Sequence, residues 1–302
     1  VQYSEVIFRL HKRTDTEKIV TLINRDPFHL LNGTSVGEFE LSLDEPGRRT
    51  RENTFVIETN QTIIGFFSLS FLEKDMYILV DCFGTVDFVW RRQGIGTKVF
   101  GFIINRLKMM RVEESKQIQF KHRALSSIPG EERLGENFGL KEQSILEILC
   151  LKNLKDSLFS QAPRSYGFHS PTLAEANVWT HIYNEAFNDN RNIESVLHEF
   201  MGTNFSNSLY LICTDDNQNP LGILSTTING SFARIPTIAV SRKWQNQGIG
   251  KILLSEGLRR LRDFGVLEVR LAVDSKNEAA KSLYKKLGFI HESKRTNLVI
   301  TL

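Results

Sequence analysis

The sequence predicts a mixed α/β fold (an α+β mixed sheet) built twice in one chain. Three observations lead there. A chain of 302 residues is long for one domain and comfortable for two of roughly 150 residues. The phrase Trp90-Arg91-Arg92-Gln93-Gly94-Ile95-Gly96 returns as Trp244-Gln245-Asn246-Gln247-Gly248-Ile249-Gly250, with Gly94 and Gly248 separated by 154 positions. Each copy follows an apolar, strand-like run and opens an amphipathic helix. A period this long marks duplicated domains, not a solenoid.

The elements follow in the same order in each half. A strand opens it, Ile7 to Leu10 and Tyr166 to His169. A helix follows, Thr14 to Asn24 with apolar Ile19, Leu22 and Ile23, and Thr172 to Phe187 with apolar Val178, Ile182 and Phe187. Runs of Val, Ile, Leu and Phe then predict strands at Thr54–Glu58, Ile63–Phe71 and Tyr77–Val86, and at Leu209–Thr214, Leu221–Ile228 and Ala233–Val240. Matching hairpins, Asn60-Gln61 and Asn217-Gln218, join the first two runs of each set. The glycine phrase and a long helix come next, over 94–110 and 248–264. A buried strand, a short helix and two closing strands end each copy, with Gly139-Leu140 matching Gly288-Phe289. Gln161-Ala162-Pro163 suits a linker, since proline lacks a donor and disfavours helix before it. The expected domains are 1–155 and 164–302.

Composition narrows the function. Hydrophobic residues are 41%, charged residues 24%, and the net charge is +3, so neither half is a basic nucleic-acid platform. No apolar run approaches the ~20 residues of a membrane span, and the N-terminal residues carry no secretory pattern. Cys82, Cys150 and Cys213 sit in apolar runs, are odd in number and have no metal-ligand spacing. Buried, reduced thiols in a metal-free cytoplasmic protein are expected.

The glycine phrase has the chemistry of an anion site. A helix start presents unpaired N–H groups and a partial positive charge, and glycine lets the backbone turn and an anion approach. Lys251 adds a cation to the second copy; Arg91 and Arg92 add charge to the first. The glycine spacing excludes the longer dinucleotide and Walker patterns.

With these residues in view, the chain resembles the GNAT superfamily of acetyl-CoA-dependent N-acetyltransferases, over nearly its whole length. The family phrase [Arg/Gln]-x-x-Gly-x-[Gly/Ala] is met by Arg91-x-x-Gly94-x-Gly96 and by Gln245-x-x-Gly248-x-Gly250. The resemblance implies an acetyl-CoA site formed by Arg91, Arg92, Gln93, Gly94, Ile95, Gly96 and Thr97, and by Gln245, Asn246, Gln247, Gly248, Ile249, Gly250 and Lys251. It implies that strand-end backbone at Gly84 and Val86, and at Ile238 and Val240, pairs with the pantetheine arm. A second family phrase, an Asn, a helix with a Tyr, then Gly-Phe, is met by Asn277, Tyr284, Gly288 and Phe289. The family places that tyrosine where it can protonate the leaving thiolate. The first copy departs here: Gly135 stands at the tyrosine's place, after Ile128-Pro129-Gly130.

The resemblance implies direct attack of an amine on the thioester, with no metal and no acyl-enzyme. Asp81 and Asp274 are candidate bases beside a solvent-relayed route, because the matching fourth-strand position holds Val80 or Arg234. Acidic residues after each first helix (Glu38, Glu40, Asp44 and Glu45; Glu185, Asp189, Glu194 and Glu199) suggest either a solvated face or a groove for a cationic amine. The expected acceptor is a small cationic metabolite or antibiotic, as in self-resistance to zwittermicin or paenilamicin. The alternatives are a protein or peptide N-acetyltransferase and a non-catalytic acyl-CoA sensor. The sequence leaves the oligomeric state open.

Overall fold

The computed structural model describes residues 5–26, 34–113, 116–157, 159, 162–202 and 210–302. The chain divides into two compact units, Val1–Glu147 with Ser293–Leu302, and Ile148–Glu292.

In the first unit the order is β1 (Ile7–Leu10), α1 (Thr16–Arg25), α2 (Val36–Leu43), β2 (Thr54–Thr59), β3 (Thr62–Glu73), β4 (Tyr77–Val86), α3 (Ile95–Glu113), β5 (Gln117–Leu125), α4 (Glu131–Asn137) and the start of β6 (Lys141–Leu151). Strands β1 to β5 lie side by side in chain order, with β4 and β5 parallel and the others antiparallel. Helix α3 covers one face through Val99, Phe100, Ile103 and Leu107 on Ile78, Val80, Ile118 and Phe120. Helices α1 and α2 cover the other through Ile19, Ile23, Phe39 and Leu43 on Val56 and Phe66. Stripes of this kind, spaced three and four residues apart, are what hold short helices on a sheet. Helix α2 was not anticipated; Ser35 and Glu38 start it with a capping box.

The second unit repeats the plan with β7 (Gly167–His169), α5 (Ala176–Phe187), α6 (Ile193–Phe200), β8 (Tyr210–Thr214), β9 (Pro220–Asn229), β10 (Phe232–Val240), α7 (Ile249–Asp263), β11 (Glu268–Asp274), α8 (Glu278–Lys286) and the start of β12 (Ile290–Thr301). The strand order is β6-β11-β10-β9-β8-β7. Helix α7 packs Leu253, Leu254, Leu258 and Leu261 on one face. On the other, Trp179, Ile182, Val196 and Phe200 meet Tyr210, Ile212 and Ile223. Leu209, the expected start of β8, and part of the expected linker lie outside the described residues.

The units differ from the limits 1–155 and 164–302 at both ends. Residues 148–151 of β6 pack with the second unit, where Leu149 and Leu151 join its core. Residues 293–301 of β12 belong to the first unit, where Arg295–Thr301 pair antiparallel with Leu125–Gln119 of β5. Each copy closes with one long strand in place of two short ones.

Candidate active site

Both units open a gap between their central parallel strands. β4 and β5 pair only from Tyr77↔Gln117 to Asp81↔Lys121, although the strands run on to Val86 and Leu125. β10 and β11 pair only from Phe232↔Glu268 to Ile235↔Leu271, although β10 runs on to Val240. Beyond these points the facing edges have no ladder partner in each other, so backbone groups at the two strand ends can take an extended ligand.

The second unit adds a bulge. The β10–β9 register shifts between Arg234 and Thr237, around Pro236. Proline donates no ladder bond, so a bulge is one of the few places a strand accepts it. Ala233 and Ile235 face the α7 core before the bulge, Ile238 and Val240 after it. β4 has no such shift; its pairing with β3 is regular from Gly65↔Val86 to Glu73↔Ile78.

The two glycine loops share one backbone path. Arg91 and Gln245 are extended, Arg92 and Asn246 have φ of 63° and 61°, and Gly94 and Gly248 have φ of 79° and 83°. Gly248 is the N-cap of α7 and supplies no side-chain cap. A Cβ at Gly94 or at Gly248 would meet nothing within 4 Å. An uncapped helix start under open space is what a phosphate requires, so these residues fit the pyrophosphate of a CoA thioester. Thr97 and Lys251, in the first turns, are exposed beside it.

Side chains in the loops turn inward and brace the strand ends. Gln245 Nε2 donates to the Val240 carbonyl at 3.1 Å, and Arg91 Nε donates to the Val86 carbonyl at 2.8 Å. Arg91 also pairs with buried Asp26, which accepts from the Thr85 hydroxyl at 2.7 Å. Arg92 Nη1 donates to the Pro129 carbonyl at 3.2 Å. The guanidinium of Arg91 is therefore neutralised within the fold, and the charge expected from it in the loop is not there. In the second unit Glu185 does the bracing: it accepts from the Ser241 hydroxyl at 2.7 Å and the Arg242 amide at 3.0 Å.

Helices α4 and α8 occupy the same place. Leu283 lies over Gly250, and Leu134 lies over Gly96 so closely that a Cβ there would come within 2.9 Å. Asn277 caps α8, its Oδ1 accepting from the Ala280 amide at 3.0 Å. Tyr284 is buried against Phe289, and burial pushes its hydroxyl up to about 12. Gly135, its counterpart, is buried under Leu298, whose Cδ1 would lie 2.7 Å from a Cβ.

The other expected site groups have local partners. Asp81 pairs with Lys121 at 3.0 Å and Arg123 at 3.1 Å, and Asp274 accepts from the Lys276 amide at 2.8 Å. Among the acidic residues, Glu38 belongs to the α2 cap, while Glu40 and Asp44 pair with Arg51 and Glu45 with Arg48. Glu199 takes Arg191 at 2.5 Å and the Tyr210 hydroxyl at 2.9 Å. Glu38, Glu40, Asp44, Glu45, Glu185 and Glu199 are thus each held by a partner within the fold. The Pro236 bulge and the Asp26 and Glu185 braces were missed; only the proline, inside an apolar run, carried a local signal.

Among the described residues no group of three or more His, Cys, Asp or Glu could hold a metal ion, and no helix is long and apolar enough to cross a membrane.

Comparison with known proteins agrees with this geometry. The model of the acetyltransferase (GNAT) family matches residues 176–289. A mycothiol acetyltransferase of Nocardiopsis dassonvillei is 50% identical over 52 residues, 17% of this chain and 16% of that protein. One from Kocuria rhizophila is 28% identical over 128 residues, 38% of this chain and 42% of that protein. The matches thus span less than half the length of these relatives. A tandem GNAT protein from the clavulanic acid biosynthesis pathway superposes with a TM-score of 0.73 at 14% identity, covering 98% of each chain. A GCN5-related N-acetyltransferase from Sphaerobacter thermophilus gives 0.71 at 18% identity, covering 98% of this chain and 95% of its own. Residues 176–289 thus match the acetyltransferase (GNAT) family model, and the whole length of the chain shares the fold of a tandem GNAT protein.

Proposed function

We propose that the chain transfers an acetyl group from acetyl-CoA to a primary amine of a small molecule, with the second unit as a catalytic centre. One observation carries this reading: the uncapped start of α7, with open space over Gly248, lies at the end of a strand that is both bulged and splayed from its neighbour. Backbone N–H groups of Gln247 to Lys251 would hold the pyrophosphate, and backbone at Ile238 and Val240 the pantetheine arm. In the first unit Gly84, Val86 and Gln93 to Thr97 would do the same, with Arg91 and Arg92 shaping the loop. When bound, the thioester supplies an activated acyl group.

The chain's own part is positioning and proton management. Holding the amine beside the thioester replaces a bimolecular encounter. Strand-end N–H groups near Val240 are aimed where the oxyanion develops. Tyr284, protonated throughout the neutral range, is the hydroxyl that donates to the departing sulfur. Asn277 fixes the start of the helix that carries it.

The acceptor is an amine, as the match to mycothiol acetyltransferases and the domain family suggest. A cationic antibiotic acceptor is one member of that class; the spent carboxylates give it no special support. The test is a screen of primary amines, aminated antibiotics among them, scored by release of free CoA thiol. Tyr284→Phe should lower kcat by about 10²-fold or more while leaving acetyl-CoA affinity unchanged. No turnover with any amine, or full kcat in Tyr284→Phe, refutes the reading.

A further inference from the structure

The first unit lacks a tyrosine on α4 but buries a carboxyl group there. Leu134 on Gly96 repeats Leu283 on Gly250, which sets α4 in register with α8 and places Glu131 one turn ahead of Gly135. One Glu131 oxygen accepts from the Leu125 amide at 2.7 Å. The other lies 4.0 Å from His122 Nε2, too far for a hydrogen bond. That nitrogen is buried without a hydrogen-bond partner, on a residue only 8% exposed. Two polar atoms at this separation, the nitrogen buried and the carboxyl mostly so, can both reach one atom placed between them.

Their location is the mouth of the gap. β4–β5 pairing ends at Asp81↔Lys121, so Cys82 and His122 are the first residues beyond it. Both face α3, where Phe100 meets the imidazole edge-to-face. Burial lifts the Glu131 carboxyl to about 7 and holds His122 down to about 4, so Glu131 carries a proton near neutrality and His122 does not. The charges that act on Glu131 are Arg91 and Asp26, which pair with each other. Cys82, pushed up to about 12, stays a thiol.

We propose that the first unit is a second acyl-transfer centre, in which Glu131 protonates the departing thiolate and His122 positions the sulfur beside it. The amine nitrogen forms the new C–N bond and gives up one proton. The C–S bond breaks with its electron pair on sulfur, which takes the Glu131 proton; the nitrogen's proton restores Glu131 through solvent. The direction is downhill, since an ordinary thiol near 8.5 is a weaker acid than this carboxyl. The inference rests on the acetyl-CoA-dependent transfer proposed above.

The test uses the full chain, acetyl-CoA and the best amine of the screen, with CoA release as the signal. Tyr284→Phe should keep a residual rate that falls as pH rises through about 7. Adding Glu131→Gln should lower that rate at least tenfold and flatten the pH profile; Glu131→Asp should restore part of both. Glutamine still accepts from the Leu125 amide, so the fold is kept, and an unchanged melting point checks this. Cys82→Ala should change nothing. Loss of all turnover in Tyr284→Phe, or a residual rate indifferent to Glu131→Gln or abolished by Cys82→Ala, overturns the second centre alone. A wild-type chain with no turnover overturns the transfer reading itself.

Discussion

Gly248→Glu separates two effects that glycine combines. The residue has φ of +83°, and a Cβ there meets nothing within 4 Å, so the substitution strains backbone without causing a clash. Left-handed backbone costs a non-glycine residue about 1–2 kcal/mol. In a unit of this size each kcal/mol lowers Tm by about 2–4 °C. That strain is present in free and loaded protein alike, so it cancels from Kd. The new carboxylate does not cancel. About 4 Å from a phosphate charge, at an effective dielectric of about 20, it costs about 4 kcal/mol, or roughly 10³ in Kd. Gly248→Asn is the control, because asparagine tolerates this backbone, as Asn246 does two residues earlier at 61°. Calorimetric titration of acetyl-CoA should show strong loss for glutamate, little for asparagine, and partial recovery of the glutamate variant in high salt. Equal affinity for all three proteins would place the phosphate elsewhere. Gly94→Glu asks the same question of the first unit.

Two further outcomes concern the first unit. Asp26→Ala strands the Arg91 guanidinium, whose side chain is 18% exposed, and should destabilise by about 3 kcal/mol; thermal melting of the variant checks it, and an unchanged Tm refutes the brace. His122 is held at about 4 against 6.5 in an open chain, so only the unfolded state takes its proton between those values and stability falls as pH is lowered. The loss approaches about 3 kcal/mol below pH 4. His122→Phe should flatten this part of the stability profile, and denaturant unfolding at pH 7 and pH 4.5 would show it. Glu131 acts oppositely: raised from 4.5 to about 7, it lets stability fall as pH rises through that window.

The fold was legible where local pattern decides it. Period-two runs and helical stripes placed the sheets and the long helices, and the 154-residue offset carried the loop from one copy to the other. The closing strands were not legible, because only pairing assigns Arg295–Thr301 to β5, about 170 residues earlier in the chain. The loop was legible at Gly94 and Gly248, whose positive φ and open Cβ space are properties of single residues. Its side-chain bonds were not. Arg91 reads as a loop cation until Asp26, 65 residues away, is seen beneath it. Glu40, Asp44, Glu45 and Glu199 read as free carboxylates until their arginines are placed.

The bulge at Pro236 alters the correspondence between the copies, and with it the search for a base. Counting back from Val86 and Val240 at constant offset sets Arg234 against Val80. One extra residue in β10 moves the upstream match, so Ala233 takes the core place of Val80, and Arg234 stands where Asp81 stands in the first unit. The fourth strand of the second unit thus presents a cation where the first presents a carboxylate. A nearby cation disfavours proton uptake, so β10 offers no base for an ammonium ion. On the proposed transfer reading, with no base on β10, deprotonation would fall to solvent before attack, and only the free amine would react. Across acceptors of similar size at fixed pH, kcat/KM should track the fraction of free amine, rising tenfold for each unit by which the amine's own pKa falls toward neutrality. In the Glu131→Gln background, which isolates the second unit, the acidic limb of the pH profile should move with the amine. An acidic limb fixed at one pH for every acceptor would belong to the protein, and would require a base that β10 does not carry.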